Sequence, residues 1–455
     1  MISIKRIFFL LTAIAVSLVS CEDKTDGKED SDKPSAADYE YMVATLTINT
    51  EDMDGDGKPD WETTDKKRKV TCTVAIDHPN DEWDMAASTG YVRGRGNSTW
   101  KWYDKKPHRF KLDEKASVLG LDPEKDWVLL ANYRDPSNLM NAFVFELGRE
   151  MGLPYTNHSR YVELIANGEY LGLYQLTEQI EQGGNRVDVD DTEGYLICLD
   201  ADDGPELSPG AGDNFWSKVY SMPVCVKHPE DDMTEEKYNV IRDDLARVEA
   251  EIKAIRSNKG DDDAVQKHYD ALKEIFDVKS FIDFLIIQEL VYNVELAAPR
   301  SMYMHKDKGG KWTMGPLWDF DAGFDFDWGT MTTGHHYFER YQDLVLGTDP
   351  IHHTAGYYVP EFFTDIFRSD KFREEYRARW AEISPKIMTD VWSRVQKFAE
   401  LGEDAWNRNA EKWPVYLDDA HPMRKLDWED ELGKMYVWLT DRIEHLTPVI
   451  NNYKD

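Results

Sequence analysis

From Tyr41 to about residue 230, short runs of the chain place apolar side chains at every second position. "YMVATLTINT", "KVTCTVAI", "RFKL", "WVLLANY", "RYVELIANGEYLGLYQLTE", "GYLICLD" and "MPVCV" all read this way or as short apolar strands. A period of two sets one face of an extended strand against a core. "NGEY" between two such runs predicts a tight hairpin turn. One helix is set among the strands, around "NLMNAFVFELGREMG", with Gly152 and then Pro154 to end it. From about residue 233 the period becomes helical. "TEEKYNVIRDDLARVEAEIKAIRS" begins at a Thr234 cap, and "AVQKHYDALKEIF", "VKSFIDFLIIQELVYNVEL", "KFREEYRARWAEI" and "WEDELGKMYVWLTDRIEHLTPVINNY" follow. Between helices lies a short insert, "GPLWDFDAGFDFDWG". Strands first and helices later predict an α+β fold, with a β-rich N-terminal half and a helical C-terminal half.

The first residues change the picture of where the chain works. Lys5 and Arg6 precede the apolar run "IFFLLTAIAVSLV", which is too short and too early for an ordinary spanning helix, and "LVSC" ends at Cys21. This reads as a signal peptide over residues 1–20, with a sequence resembling a bacterial lipobox and lipid attachment at Cys21. Residues 21–40 are acidic and nearly free of large apolar groups, and predict a disordered tether. An acidic run just after a lipidated cysteine resembles the surface-export signal of Bacteroidetes lipoproteins. The expectation is an outer-membrane lipoprotein exposed at the cell surface. The formal net charge of −33 over 455 residues makes nucleic acid an improbable partner. Cys198 and Cys225 fall in strand-like runs and could pair if those strands are neighbours.

Three charged segments carry candidate chemistry. In "EDMDGDGKPDWE", Asp52, Asp54, Asp56 and Asp60 occupy positions 1, 3, 5 and 9 of a calcium loop, with Gly57 at the turn. Position 12 is Thr63 rather than the usual glutamate, with Glu62 beside it. A solvated Asp/Gly hairpin would have the same composition. Residues 93–111 carry seven cations (Arg93, Arg95, Lys101, Lys105, Lys106, Arg109 and Lys111) against Asp104 alone. Such an island in an acidic chain suits a phosphate, or it neutralises an acidic patch of the same protein. Asp319, Asp321, Asp325 and Asp327 stand among aromatic residues. Either they face water from a half-buried strand, or Asp319 and Asp321 hold a cation opposite the basic island, as a phosphoryl-transfer site requires. The pairs His335–His336 and His352–His353 read as solvent-exposed histidines rather than metal ligands. Trp100, Trp102, Trp312, Trp318 and Trp328 read as core and rim, or as sugar-stacking platforms.

"RGRGNSTW", "KKPHRFKLD", "WVLLANYRDPSNLMNAFVFEL", "VELIANGEYLGLYQLTEQI" and "GPLWDFDAGF" occur in the order found in the CotH kinase-like family, named for a spore-coat protein that acts as an atypical protein kinase. The chain resembles that family over roughly residues 90–450. The domains then read as signal peptide 1–20, tether 21–40, an N-terminal β segment 41–89 with the calcium loop, and a CotH kinase-like domain 90–455. The resemblance implies an atypical protein-kinase-like fold of two lobes, binding ATP with magnesium or manganese. Lys111 is similar to the strand lysine that holds nucleotide phosphates, with Arg93, Arg95 and Lys106 near it. Glu178 in "QLTEQI" is similar to the nucleotide-pocket segment, and "WDFD" to the metal-binding aspartate motif. At one point the chain departs from the family pattern. "YNVELAAPRSMYMHKD" has no aspartate between Tyr292 and His305, so Glu295 is the candidate base, and Ser301 stands where a metal-binding asparagine is expected. The reading is ATP- and metal-dependent phosphoryl transfer to a protein or glycan hydroxyl. The alternatives are a catalytically degenerate kinase fold kept as a binding module, and a glycosidase using the aspartates with sugar-stacking tryptophans.

Overall fold

The computed structural model describes residues 35 and 37–453, apart from 62–65, 203–213, 230–232, 259, 330–333, 351–358 and 418–424. The export leader, Cys21, most of the tether, Glu62, Thr63, His352 and His353 lie outside the described residues.

The alternating runs form a closed seven-stranded barrel in the order β1-β2-β3-β4-β5-β7-β6. Its strands are β1 (Val43–Thr50), β2 (Val70–Asp77), β3 (Met85–Gly94), β4 (His108–Val118), β5 (Leu121–Leu130), β6 (Arg160–Ala166) and β7 (Glu169–Glu178). Neighbours are antiparallel except at the closure, where β1 runs parallel to β6 with Thr47 opposite Ile165. The period of two has its expected effect. Leu46, Ile48, Val74, Phe110, Leu112, Trp127, Leu164 and Leu176 fill the interior as one apolar cluster. The β6–β7 hairpin turns on Asn167 (φ 49°) and Gly168 (φ 82°), the left-handed pair that a two-residue turn needs. β1 and β2, from the segment 41–89, are thus staves of the same barrel as the strands beyond residue 90.

A second sheet has the order β12-β11-β8-β10-β9, made of β8 (Tyr195–Leu199), β9 (Asn214–Trp216), β10 (Pro223–His228), β11 (Met302–Lys306) and β12 (Thr313–Met314). One face carries Ile197, Leu199, Val224, Val226, Met302 and Met304 into a second apolar cluster, shared with the helices. The helix Met140–Met151 and the helix Val278–Leu290 are buried along nearly their whole lengths. The latter's near-continuous apolar sequence is what an all-round buried helix requires. Caps fall where the sequence supplies them. Thr234 accepts from the Lys237 N–H at 3.2 Å, Asp277 from Lys279 at 3.1 Å and Ser280 at 3.3 Å, and Asp427 from Glu429 and Asp430. The helix Asp370–Lys386 contains Pro385 and passes through a π turn, Ile387–Val391, into Trp392–Leu401. The helices Glu403–Lys412 and Trp428–Asn451 complete the C-terminal part. Among the described residues no helix is long and apolar enough to cross a membrane.

Candidate functional site

A cavity of about 340 Å³ lies where the barrel mouth meets the second sheet. On the barrel side its wall is the glycine-containing loop after β3. A Cβ on Gly94 would meet the Trp100 ring at 2.2 Å, so only glycine lets that ring lie across the strand end. Gly96 takes φ 83°, and its carbonyl accepts from Lys66 Nζ at 2.8 Å. Between the two glycines, Arg95 enters the cavity lining, with its guanidinium 5.2 Å from the centre of the Trp318 ring.

The opposing wall brings acids from three distant stretches. Asp319 and Asp321 are half-buried and stand within hydrogen-bonding reach of one another. Glu295 lies on the short turn Val294–Ala297 and is 9% exposed. Asp200 follows β8, and its carboxylate accepts from the Ser301 N–H at 3.4 Å and the Asp202 N–H at 2.9 Å. Ser301 Oγ donates to Asp319 at 3.3 Å, which ties the two acidic stretches together. Asp202 bridges the cavity mouth, meeting Arg300 at 3.1 Å and accepting from Asn97 Nδ2 of the glycine loop at 3.2 Å.

Burial and mutual repulsion dominate the electrostatics. Burial pushes the Glu295 carboxyl well above the usual range, and Asp319 and Asp321 push it further. Asp321 is raised by burial and then by Asp319. Burial also raises Asp319, opposed by the Arg95 cation and the Ser301 hydrogen bond. Acids crowded this closely make a strongly cation-attracting wall, faced by Arg95, Lys66 and Arg300 in the same lining.

Asp319 and Asp321 do not lie on a strand. Residues 315–322 are irregular, and Asp319 takes φ 66°. The Phe320 N–H is donated to Asn141 Oδ1 of the helix Met140–Met151 at 3.0 Å, not to a neighbouring strand. Asn141 in turn donates to Asn132 at 3.3 Å, and Asn132 to Gln175 at 2.9 Å, so the acidic loop is anchored back to the barrel. A non-glycine residue in the left-handed region is held there by its surroundings. The other two aspartates have different fates. Asp325 is fully buried and accepts from the Glu339 N–H at 2.7 Å, the Arg340 N–H at 2.9 Å and the Arg340 side chain. Asp327 is exposed and accepts from the Gly329 N–H at 2.9 Å.

The remaining basic residues sit beside the cavity rather than in its lining. Arg93 is opposite Arg109 on the β3–β4 ladder, and Tyr91 is opposite Lys111. Arg109 and Lys111 both bind Asp126, each at 2.7 Å, on the outer face of the barrel. Glu181 stands 3.8 Å from Arg109, its carboxyl pushed up to about 7 by burial and Asp126. Lys106 donates to the carbonyls of Trp100, at 2.7 Å, and Tyr103. Glu178 accepts from the His158 N–H at 2.9 Å and meets His158 Nδ1 at 2.7 Å. Arg95, Asp319, Asp321 and Glu295 thus share one cavity, while Arg93, Lys111, Lys106 and Glu178 lie outside its lining. Asp200, Asp202, Arg300 and Asn97 were missed by sequence reasoning. Asp200 had one legible signal, a carboxylate at the end of an apolar strand.

The histidine expectation is corrected. His335 and His336 are 2% and 0% exposed. They form β14, paired with β13 (Phe326–Asp327), and His336 Nδ1 lies 3.0 Å from the Gly323 carbonyl. Burial pushes the His336 ring down to about 3. These are core histidines supporting the acidic loop. Trp312 is likewise fully buried, while Trp318 and Trp328 line the cavity.

At the N-terminal acidic loop, carboxylate oxygens of Asp52, Asp54 and Asp60 lie within 4.8 Å of one another. Among the described residues this is the one such set of three His, Cys, Asp or Glu groups. Asp52 accepts N–H bonds from Gly55 at 2.7 Å and Gly57 at 2.8 Å. Asp56 accepts from Lys58 at 2.9 Å, and Asp60 pairs with Arg68 at 3.1 Å.

Residues 92–446 match the family model described as CotH kinase protein. No curated protein matches the chain.

Proposed function

Since the chain belongs to the CotH kinase protein family, we propose that it transfers a phosphoryl group from ATP to a hydroxyl of a protein or glycan acceptor, within the cavity between barrel and second sheet. The observation that carries this reading is the placement of Asp319 and Asp321 opposite Arg95 in one cavity. Two hard carboxylates fit magnesium or manganese, which takes one or two protein carboxylates and fills its remaining positions with water and phosphate oxygens. Such an ion would supply charge neutralisation on the phosphates. Arg95, Lys66 and Arg300 supply further positive charge to the cavity. Glu295 is the candidate proton acceptor. Its raised affinity for protons suits a base that must take one from a hydroxyl. Two apolar clusters, one in the barrel and one around the helices, support a two-lobed kinase-like arrangement. The leader and "LVSC" support lipid anchoring at Cys21, and the acidic run after it supports display on the outer surface. A calcium ion on Asp52, Asp54, Asp56 and Asp60 belongs to the same reading.

The test is incubation of the purified protein with labelled ATP, magnesium or manganese, and panels of protein and glycan acceptors. Label should appear in an acceptor. Nucleotide-dependent thermal stabilisation with no transfer to any acceptor would instead support the degenerate binding module.

The raised carboxyls also set a pH dependence. A carboxyl raised in the fold binds more protons folded than unfolded, so the stability it contributes is present at low pH and lost as pH rises through its folded value. For Glu295, Asp319 and Asp321, that loss begins above the ordinary carboxylate range, about pH 4–4.5. A dication reverses it. Magnesium or manganese is expected to raise the melting temperature more at about pH 8 than at about pH 5. A shift independent of pH would detach ion binding from these acids.

A further inference from the structure

Cys198 and Cys225 are direct partners on adjacent antiparallel strands, β8 and β10. Facing residues of an antiparallel pair project to the same side of the sheet, with Cα atoms about 4.5–5.5 Å apart. A disulfide spans Cα separations of about 4.4–6.8 Å. The register therefore places the two side chains on one side of the sheet at a backbone spacing that a disulfide spans. The side they share is not the apolar one. Ile197, Leu199, Val224 and Val226 point into the helical cluster, and the cysteines alternate with them. On the cysteine side, Tyr303 of β11 is the register partner of Cys198 and lines the cavity. Cys198 Sγ lies 3.9 Å from the carboxylate of Asp200, which also lines it. Both cysteines are held as thiols and buried, at 0% and 5% exposure. Cys72 has no such partner, since its register neighbours are Thr50 and Gly90.

We propose that Cys198 and Cys225 form a cross-strand disulfide that ties β8 to β10 directly behind the cavity wall. The reaction is thiol–disulfide exchange with a disulfide donor, either a protein oxidant or oxidised glutathione. Two S–H bonds are lost and one S–S bond forms, while two electrons and two protons convert the donor's disulfide to two thiols. Because the native pair is buried, the bond forms during folding, before the second sheet closes over it. Oxidation also removes the sulfur-bound proton that Cys198 presents to Asp200.

The full chain is refolded in a mixture of reduced and oxidised glutathione, alkylated under denaturing conditions without reductant, and digested for mass spectrometry. The expected product is a linked peptide joining Cys198 to Cys225, with Cys72 alkylated. Its reduction should lower the melting temperature by roughly 3–5 °C. In Cys225→Ser the linked peptide should vanish and Cys198 should become alkylated, with the fold retained. Alkylation of both cysteines in wild type, or a bridge that uses Cys72 instead, overturns the proposal. Neither outcome bears on phosphoryl transfer, which is read by the labelled-ATP assay.

Discussion

Asp319→Asn is expected to lower phosphoryl transfer about 1,000-fold, equivalent to roughly 4 kcal/mol of barrier, while leaving the fold at least as stable as before. The choice of asparagine follows from the backbone. Asp319 sits at φ 66°, a region that asparagine enters readily and most side chains do not. Alanine there would add conformational strain to the chemical loss and blur the result. Asparagine keeps the volume and leaves intact the Phe320–Asn141 hydrogen bond that anchors the loop. It removes one negative charge from a wall where Asp319 raises the proton affinity of both Asp321 and Glu295. In the absence of divalent ions the variant should therefore melt at or above the wild-type temperature at neutral pH, and the stabilisation by magnesium should fall. Transfer retained at the wild-type rate would remove Asp319 from the proposed machinery. A lowered melting temperature would show that its role is structural.

Arg442→Met is expected to destabilise the protein by about 3–5 kcal/mol, lowering the melting temperature by roughly 3–6 °C. Arg442 is 0% exposed. Its guanidinium meets Glu289 Oε1 at 2.9 Å and donates to the carbonyls of Leu290 at 2.7 Å, Tyr341 at 2.8 Å and Asp343 at 2.6 Å. Glu289 in turn accepts from the N–H groups of Val345, at 3.1 Å, and Leu346, at 2.7 Å. Removing the cation leaves a buried carboxylate and several carbonyls without their donor. Glu289→Gln combined with Arg442→Met should cost less than the sum of the two single changes, because the stranded charge is gone. Simple additivity in denaturant titrations would mean that the two groups do not depend on each other. The damage should reach the site as well. Arg442 holds the end of the helix Val278–Leu290, and the turn carrying Glu295 begins only a few residues on. The Val291 carbonyl accepts from Phe324 at 2.6 Å, which connects that helix end to the acidic loop.

Local pattern made most of the elements legible. Period-two and short apolar runs became β1, β2, β4–β8 and β10, "NGEY" became the hairpin turn, and Thr234 capped its helix. Closure of the barrel was not legible, because a parallel contact between β1 and β6 joins residues more than a hundred positions apart and leaves no local signature. The conformation of the acidic loop is hidden for a related reason. Alternating aspartate and aromatic residues mimic a strand, but the Phe320 N–H is taken by Asn141, a long-range partner that period alone cannot reveal. His335 and His336 looked exposed because polar neighbours surround them in the sequence. Pairing with Phe326 and Asp327 turns them inward, where the Gly323 and Phe324 carbonyls receive His336 and the Glu431 carboxylate faces His335. Of the cavity lining, Arg95, Glu295, Asp319 and Asp321 are legible from charge pattern and family resemblance together. Asp200, Asp202 and Asn97 carry no motif of their own, and only the meeting of barrel and second sheet gives them a common purpose.

The seven-stranded closure has a practical corollary for anyone trimming the protein. The family-matched span starts at Val92, near the end of β3. A fragment cut there would discard two whole staves and most of a third, leaving β4 and β6 with bare rows of amides and carbonyls along what had been a seamless hoop. Such raw margins invite stranger chains to add themselves on, so the shortest well-behaved piece reaches back to the residues before Val43.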